Sequence, residues 1–274
     1  MPHQHVRIAA ATAAAVLALA GTAGAAPRPA APAPASTTRT LVPHTQHVSA
    51  TVTVPAFGTA EATVPCPAGT YPSGGGARSS DGVFLIRSRP GQNNTWVAGG
   101  HNRYSVPGTV SAFVICTSAG SHNGGTTGTS VHAGWEGGAT GSCHQDEVAT
   151  GIGWSTAPLM YVSSAGVFGG KSSVDVLNED SSSPHDVQIT PMCFTTPHSQ
   201  HTGPQILMQG YQTASATVSC PAGEVPTGGG GSTGFRTYLI TSSGTPDGRG
   251  WEVRATNTTA YPRSLTAQVI CTRP

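Results

Sequence analysis

Apolar and polar residues alternate in short runs along residues 43–274, and glycine, proline or asparagine separates one run from the next. The runs at 49–54 and 60–66 alternate valine or alanine with polar residues, and matching runs return at 205–209 and 213–220. Such period-two alternation, rich in valine and threonine, is typical of β-strands. After the N-terminal segment, no apolar stripe at helical spacing extends beyond ten residues. The pattern therefore predicts an all-β protein.

A three-fold internal repeat organises this pattern. Cys-Pro-Ala-Gly begins at Cys66 and again at Cys220, and each copy is followed by three consecutive glycines and closed by Val-Ile-Cys-Thr. A divergent middle copy keeps four of these positions, namely Cys143, Gly151, Gly153 and Cys193. The opening cysteines are 77 residues apart and the closing ones 77 and 78 apart. We therefore predict abutting repeats of about six strands each, with the bounds 43–119, 120–196 and 197–274.

The cysteine spacing predicts one disulfide inside each repeat. Each bridge would close a loop of about fifty residues and contribute about 4 kcal/mol in the loop-entropy model. A zinc site is the alternative, but the chain has no Cys-x-x-Cys or Cys-x-x-His pair. The predicted pairs are Cys66–Cys116, Cys143–Cys193 and Cys220–Cys271.

Two arrangements of the repeats are compatible with the sequence. They pack around a pseudo-three-fold axis, as in a β-prism, or they form three small β domains in a row. Abutting repeats favour the packed form, because a repeat that cannot bury its apolar face alone packs on its neighbours. The glycine triplets indicate a close approach of backbone or of an aromatic ring. Trp96 and Trp251, which recur at equivalent positions, are then expected to be buried, with an exposed sugar-binding platform as the alternative.

Together these motifs resemble repeats in largely uncharacterised exported proteins of high-GC bacteria. At the level of architecture, three disulfide-bearing β units are similar to β-prism proteins of the vitelline membrane outer layer type. The resemblance implies a three-fold all-β fold and an extracellular location. It carries over no catalytic or binding residue.

The N-terminal residues predict export. Arg7, an apolar stretch and a small-residue site near residue 25 are typical of a signal peptide, which we assign to residues 1–26. Residues 27–42 are rich in proline, alanine and threonine and are predicted to form an extended tether. No later segment has the roughly 20 apolar residues of a membrane span. We expect a secreted, extracellular and monomeric protein.

Charge is unevenly distributed among the repeats. The first and third repeats each carry a net charge of +2, whereas the middle repeat has seven acidic residues against Lys171, for a net charge of −6. A net charge of +1 for the whole chain and the absence of a basic patch argue against a nucleic-acid partner. The acidic middle repeat would attract a cation or a cationic partner.

The candidate binding residues therefore lie in the middle repeat. Six side chains are predicted to contact a ligand, namely Asp146, Glu147, Asp175, Glu179, Asp180 and His185. Oxygen ligands from Asp175, Glu179 and Asp180 would suit calcium as a cofactor. A solvated acidic face and a general acid–base pair are the alternatives. Histidines at 44 and 47, and again at 198 and 201, would ligate copper or zinc or else mark the repeat boundaries.

These features predict a secreted, non-enzymatic binding protein that recognises a glycan, a cell-wall polymer or another protein at a surface. The first alternative is a secreted polysaccharide hydrolase or lyase that uses acidic residues of the middle repeat. The second is an inhibitor of extracellular proteases. We expect all cysteines to be in disulfides, so no cysteine nucleophile is indicated.

Overall fold

The computed structural model describes residues 43–274, which form 21 β-strands and no helix. The first repeat contains β1 (His44–Val48), β2 (Val52–Val54), β3 (Thr59–Pro65), β4 (Tyr71–Ser79), β5 (Val83–Pro90), β6 (Thr95–Asn102) and β7 (Gly108–Thr117). The middle repeat contains β8 (His122–Asn123), β9 (Thr127–Val131), β10 (Glu136–Gly141), β11 (Val148–Ser155), β12 (Met160–Phe168), β13 (Lys171–Asn178) and β14 (His185–Phe194). The third repeat contains β15 (Ser199–Thr202), β16 (Ile206–Met208), β17 (Thr213–Ser219), β18 (Val225–Thr233), β19 (Thr237–Gly244), β20 (Gly250–Asn257) and β21 (Arg263–Thr272). The predicted all-β class is confirmed.

The strands form three antiparallel sheets of seven, and each sheet combines four strands of one repeat with three of another. Sheet I has the order β1-β7-β4-β19-β20-β17, with β2 beside β7. Sheet II has the order β3-β6-β5-β11-β14-β8, with β9 beside β14, and sheet III has the order β10-β13-β12-β18-β21-β15, with β16 beside β21. Every pair of repeats therefore shares a sheet, which gives the pseudo-three-fold, β-prism-like arrangement rather than three domains in a row.

Each repeat has seven strands where the sequence predicted about six. The extra strand lies at the start of each repeat, where the sequence pattern predicted no strand. In the first repeat this segment is β1, which pairs with β7 in the register His44 to Thr117. The edge of a neighbouring strand thus recruits a segment whose own sequence pattern is weak.

The glycine triplets lie where the repeats approach one another. A Cβ on Gly75 would overlap the Trp96 indole, and a Cβ on Gly74 would overlap the carbonyl oxygen of Thr227 in the third repeat. Gly229 has the same relation to Trp251. Both tryptophans are fully buried. The predictions of close packing and of buried tryptophans are confirmed.

The three predicted disulfides are also confirmed: Cys66–Cys116, Cys143–Cys193 and Cys220–Cys271. Each joins the residue next to the third strand of its repeat to the final strand. We call this end of the prism the disulfide end. Disulfides of this kind are typical of extracellular proteins.

Three aromatic rings, one from each repeat, meet on the pseudo-three-fold axis. They belong to Phe84, Tyr161 and Tyr238, which are 77 residues apart in sequence and lie on β5, β12 and β19. Their ring centroids are 5.0–5.6 Å apart. This aromatic contact joins the repeats near the end of the prism opposite the disulfides.

Candidate functional site

A buried asparagine organises the loops at that opposite end in every repeat. Asn102 is the last residue of β6, and its Nδ2 donates hydrogen bonds to the carbonyl oxygens of Val54 (3.4 Å) and Val106 (2.8 Å). Asn178 and Asn257 bind the equivalent pairs of loops at 2.8–3.1 Å. Because a buried amide that joins two loops restricts both, these loops are held rigidly. We call this end the asparagine end.

Exposed aromatic side chains are concentrated at the asparagine end. Among the described residues, seven aromatic side chains are largely exposed, and six of them lie in loops at this end: Phe57, Tyr104, Trp135, Tyr211, Phe235 and Tyr261. The seventh, Tyr71, begins β4 at the disulfide end. Each repeat contributes at least one ring that is about 70% exposed, since the values are 68% for Phe57, 68% for Trp135 and 73% for Tyr211.

Two of these rings occupy a backbone conformation that favours glycine. Phe57 has a φ of 52° and Tyr211 a φ of 59°. The middle repeat has Gly134 at the equivalent position, with a φ of 74°. An L-residue in this left-handed region costs about 1–2 kcal/mol. The rings are exposed and add little to the core, so their role lies at the surface.

A polar cleft lies beside the axial aromatic rings at the same end. The Glu179 carboxylate accepts a hydrogen bond from the Tyr238 hydroxyl and pairs with Arg103 at 2.8 Å. Arg103 also lies over the Tyr161 ring, 4.9 Å from its centroid. Burial raises the pKa of Tyr161 to about 12 and raises that of Tyr238 further. Both phenols therefore remain neutral. The cleft has a volume of about 440 Å³ and includes Arg236.

Asp180 and His185, two of the residues predicted from the sequence, bind each other at the asparagine end. The Asp180 carboxylate accepts hydrogen bonds from the Ser182 hydroxyl (2.6 Å) and backbone N–H (2.8 Å), and it contacts His185 Nε2 at 2.8 Å. The Ser182 hydrogen bonds hold the pKa of Asp180 well below its ordinary value. Its carboxylate is therefore used to close the loop.

Asp175 lies on the middle of β13, opposite Gly138 of β10. It shares a cleft of about 360 Å³ with Glu136 and Phe235. Partial burial raises the pKa of the Asp175 carboxyl, and the Ser164 hydrogen bond opposes this shift. Glu179 follows β13, but its carboxylate points to Tyr238, so Asp175 and Glu179 serve different clefts.

Asp146 and Glu147 lie at the disulfide end. Glu147 accepts a hydrogen bond from the His144 N–H at 3.0 Å and lies 3.1 Å from His122 Nε2, whereas Asp146 is exposed. Glu147 lies just before β11, which is eight residues long. Glu179 lies beyond the other end of this strand, because its N–H donates a hydrogen bond to the carbonyl oxygen of Leu159 in the turn that follows β11. The length of β11 corresponds to about 26 Å at 3.3 Å per residue. The six predicted residues are thus distributed over three places.

The described residues also bear on the metal hypotheses. Asp175, Glu179 and Asp180 have separate hydrogen-bond partners and do not form one cluster. Two compact groups of a histidine, a glutamate and a cysteine occur, namely His122–Glu147–Cys193 and His201–Glu224–Cys271. Because both cysteines are in disulfides, neither supplies a thiolate ligand. The rings of His44 and His198 pack against Phe194, with centroids 6.2 and 5.1 Å away.

Two recurring features of the sequence could have identified the asparagine end, but the charge pattern led us to the middle repeat instead. Phe57 and Tyr211 recur 154 residues apart, and Asn102 and Asn257 recur at one repeat position. Only Trp135 breaks the register, because it follows the glycine that occupies the Phe57 position.

No family model matches the chain, and no curated protein is significantly similar to it. Within residues 43–274, no helical segment has the length and apolar character that crossing a bilayer would require.

Proposed function

We propose that this protein is an exported, monomeric, non-enzymatic binding protein for a surface polysaccharide, and that the aromatic loops of the asparagine end contact the ligand. The observation that carries the proposal is the exposed ring in each repeat, Phe57, Trp135 and Tyr211. Each lies in a loop just after a backbone carbonyl that accepts a hydrogen bond from a buried asparagine. A predicted signal peptide and three disulfides support an extracellular setting.

Aromatic rings suit a sugar ligand for a physical reason. A pyranose ring has one face of C–H groups, which packs on an aromatic ring, and hydroxyls at its edge, which bind neighbouring polar groups. A rigid side chain with two rotatable bonds loses little conformational entropy when it binds. The left-handed backbone at Phe57 and Tyr211 supports this role. A non-glycine residue in this conformation lowers the stability of the fold, so an exposed aromatic residue there is best explained by a contact with a ligand.

Repetition supports a polymeric ligand. Three related contacts on one rigid body raise the overall affinity for a repeating chain well above that of a single contact. A single sugar would then bind weakly and a long chain tightly.

The test compares alanine variants of the purified protein against a panel of soluble polysaccharides and cell-wall preparations. The triple variant Phe57→Ala, Trp135→Ala and Tyr211→Ala should bind at least about tenfold more weakly, since truncating a central aromatic contact typically costs more than 1 kcal/mol. Tyr71→Ala is the matched control, because Tyr71 is an exposed aromatic residue at the other end. Equal affinity of the triple variant and the wild type would refute the placement.

Two further measurements separate the other hypotheses. The variant with Asp175, Glu179 and Asp180 changed to alanine tests contact by the acidic middle repeat, and titration with calcium and with EDTA tests a metal requirement. Loss of binding in that variant, with the triple aromatic variant unaffected, would move the site to the acidic residues. Binding to none of the glycans would favour a protein partner.

A polysaccharide hydrolase is the second candidate, and one observation favours it. Asp175 and Glu136 share a cleft, and the partial removal of water around the Asp175 carboxyl, whose residue is otherwise exposed on its strand, raises its pKa in the direction that suits a general acid. Release of reducing sugar by the wild type, and its loss in Asp175→Asn, would establish this activity in place of simple binding.

A further inference from the structure

A second polar cleft lies between the first and middle repeats, on sheet II where β5 pairs with β11. Its volume is about 110 Å³. Its polar lining comes from six residues, all of which carry at least one hydrogen-bond donor: Arg89, Asn123, Thr126, Ser155, Gln188 and Thr190. The lining includes a guanidinium and no carboxylate. It shares no residue with the aromatic loops.

Beside the cleft, a glycine allows β5 and β11 to approach each other closely. Gly153 on β11 pairs with Thr190 on β14. A Cβ on Gly153 would lie 3.2 Å from the Cβ of Arg89 and 2.5 Å from Cδ of Pro90. A side chain at this position would therefore displace Pro90 and Arg89, which form one wall of the cleft.

Arg89 is half-buried in this cleft without a carboxylate to balance its charge. Its guanidinium donates a hydrogen bond to the Pro90 carbonyl at 3.2 Å. Within residues 43–274, no acidic group lies within 4.0 Å of it. The neighbouring Glu61 pairs with Arg87. Burial, and to a smaller extent the nearby positive charge of Arg89, lower the pKa of Arg87.

The other two junctions show that the fold does not need such a charge. Arg89 corresponds to Gly166 and Ser243, each 77 residues further on. Between the third and first repeats, Arg78 donates a hydrogen bond to Ser243 and pairs with Glu252 at 3.8 Å.

The junction between the middle and third repeats is uncharged at the corresponding place. There Gln200 Nε2 donates a hydrogen bond to Gln268 Oε1 at 3.3 Å. One junction therefore pairs its arginine with an acid, and one has a hydrogen bond between two amides in place of a charge. The junction at Arg89 keeps a cation without an acidic partner.

We propose that this cleft binds a small oxyanion, namely a carboxylate, sulfate or phosphate group of a ligand. The planar guanidinium of Arg89 suits two parallel hydrogen bonds to such a group. The amides of Asn123 and Gln188 supply further donors. So does one hydroxyl of the pair Thr126 and Thr190, which share a hydrogen bond of 2.8 Å. Since one water occupies about 30 Å³ in the liquid, the volume admits a group of a few heavy atoms. The site is separate from the aromatic loops, and either proposal can fail alone.

The test is an NMR titration of the purified protein with sodium sulfate, inorganic phosphate, acetate or glucuronate, against sodium chloride at constant ionic strength. Resonances of the Arg89 Nε–H and of the Asn123 and Gln188 side-chain amides should shift in a saturable way. Arg89→Gln should weaken binding at least tenfold. Arg249→Gln is the matched control, because it removes one exposed positive charge from a turn of the third repeat.

The outcomes are distinct. Preference for glucuronate over acetate and phosphate would identify a sugar acid, and preference for phosphate a phosphoryl group. Absence of saturable shifts, or equal weakening in Arg89→Gln and Arg249→Gln, would overturn the proposal. If Arg89→Gln does not fold, Arg89→Lys keeps the charge but removes the planar fork, and a loss of binding limited to this variant carries the same conclusion.

Discussion

The middle repeat and its two neighbours reach the same architecture with different core residues. In the first repeat Gly75 leaves room for the Trp96 indole, which donates a hydrogen bond to the Ser88 hydroxyl at 3.0 Å. In the middle repeat Ile152 and the buried Ser172 take the places of the glycine and the tryptophan. A larger side chain on one strand thus accompanies a smaller one on the other, so the volume between the sheets is conserved.

The features that all three repeats share are more informative about function than the core residues in which they differ. The middle repeat keeps its disulfide, the buried asparagine and an exposed aromatic ring, Trp135. The first two features stabilise each repeat. The exposed ring lies outside the buried core, and its presence in all three repeats is the comparison on which the proposed function rests.

The largest effect is expected when the core residues of the middle repeat are introduced into the first. Gly75→Ile alone should lower the free energy of unfolding by about 3 kcal/mol through overpacking, and Trp96→Ser alone by about 4 kcal/mol through a cavity. The double variant should be about 2 kcal/mol more stable than the sum of the two single effects predicts. Denaturant unfolding measures all three values.

The matched control for this cycle combines Trp96→Ser with Gly229→Ile, whose indole partner is Trp251. These substitutions lie in different repeats, so their effects should add. If the effects of Gly75→Ile and Trp96→Ser on the free energy of unfolding simply add, the two core differences of the middle repeat do not compensate each other. That result would contradict our interpretation of the middle repeat.

The second effect concerns the asparagines that all repeats share. Asn178→Ala should lower the free energy of unfolding by about 2–3 kcal/mol, because buried backbone groups of two loops lose their partner. Asn102→Ala should have an equal effect. A much smaller effect in the middle repeat would show that its acidic loop is held in another way. Hydrogen exchange of the Asp180 N–H, which donates to Asn178 Oδ1, gives an independent local measurement.

A smaller effect of opposite sign is expected at the turn that distinguishes the repeats. Phe57→Gly should raise the free energy of unfolding by up to about 1 kcal/mol, because glycine adopts the φ of 52° without strain. Gly134→Ala should lower it by about 1 kcal/mol at the same position of the middle repeat. Thermal unfolding measures both. A loss of stability in Phe57→Gly would show that the exposed ring stabilises the fold.

The smallest effect concerns pH. The pKa of Asp180 is held below its ordinary value of 3.8, so the folded state binds this proton more weakly than the unfolded state does. Its stabilising effect is complete well above pH 3.8 and is lost as the pH falls towards the lowered pKa. Asp180→Asn should therefore flatten the acid side of the stability profile, and Asp146→Asn, in an exposed turn, serves as the control. Identical profiles for both variants would contradict the role of the Ser182 hydrogen bonds.

Several elements of this fold were predictable because their signal is local and periodic. The constant spacing of the cysteines identified each disulfide pair. The glycine triplets predicted a close approach of backbone or of an aromatic ring, and the recurring tryptophans were predicted to be buried, but the structure was needed to show that Gly75 contacts Trp96. Both inferences depend on comparing one repeat with the next along the chain. The strand β1 was missed because a neighbouring strand edge, rather than its own alternation, recruits it.

The candidate site depended on information that spacing does not contain. Charge drew attention to the middle repeat, yet an antiparallel strand sends the residues before and after it to opposite ends of the sheet. Glu147 and Glu179 are accordingly far apart, whereas Phe57 and Tyr104, which are distant in sequence, lie in loops joined by a hydrogen bond of 3.1 Å.

By itself, the sequence determined the all-β class, the three repeats and their disulfides, because each follows from a period that every copy repeats. Only the tertiary structure decided that each sheet is shared between two repeats, that exposed rings gather at one end, and that Arg89 lacks an acidic partner. These features depend on which strand edges pair over long distances in the chain. The free energy of that pairing comes from burial and backbone hydrogen bonds between repeats, which no local pattern specifies.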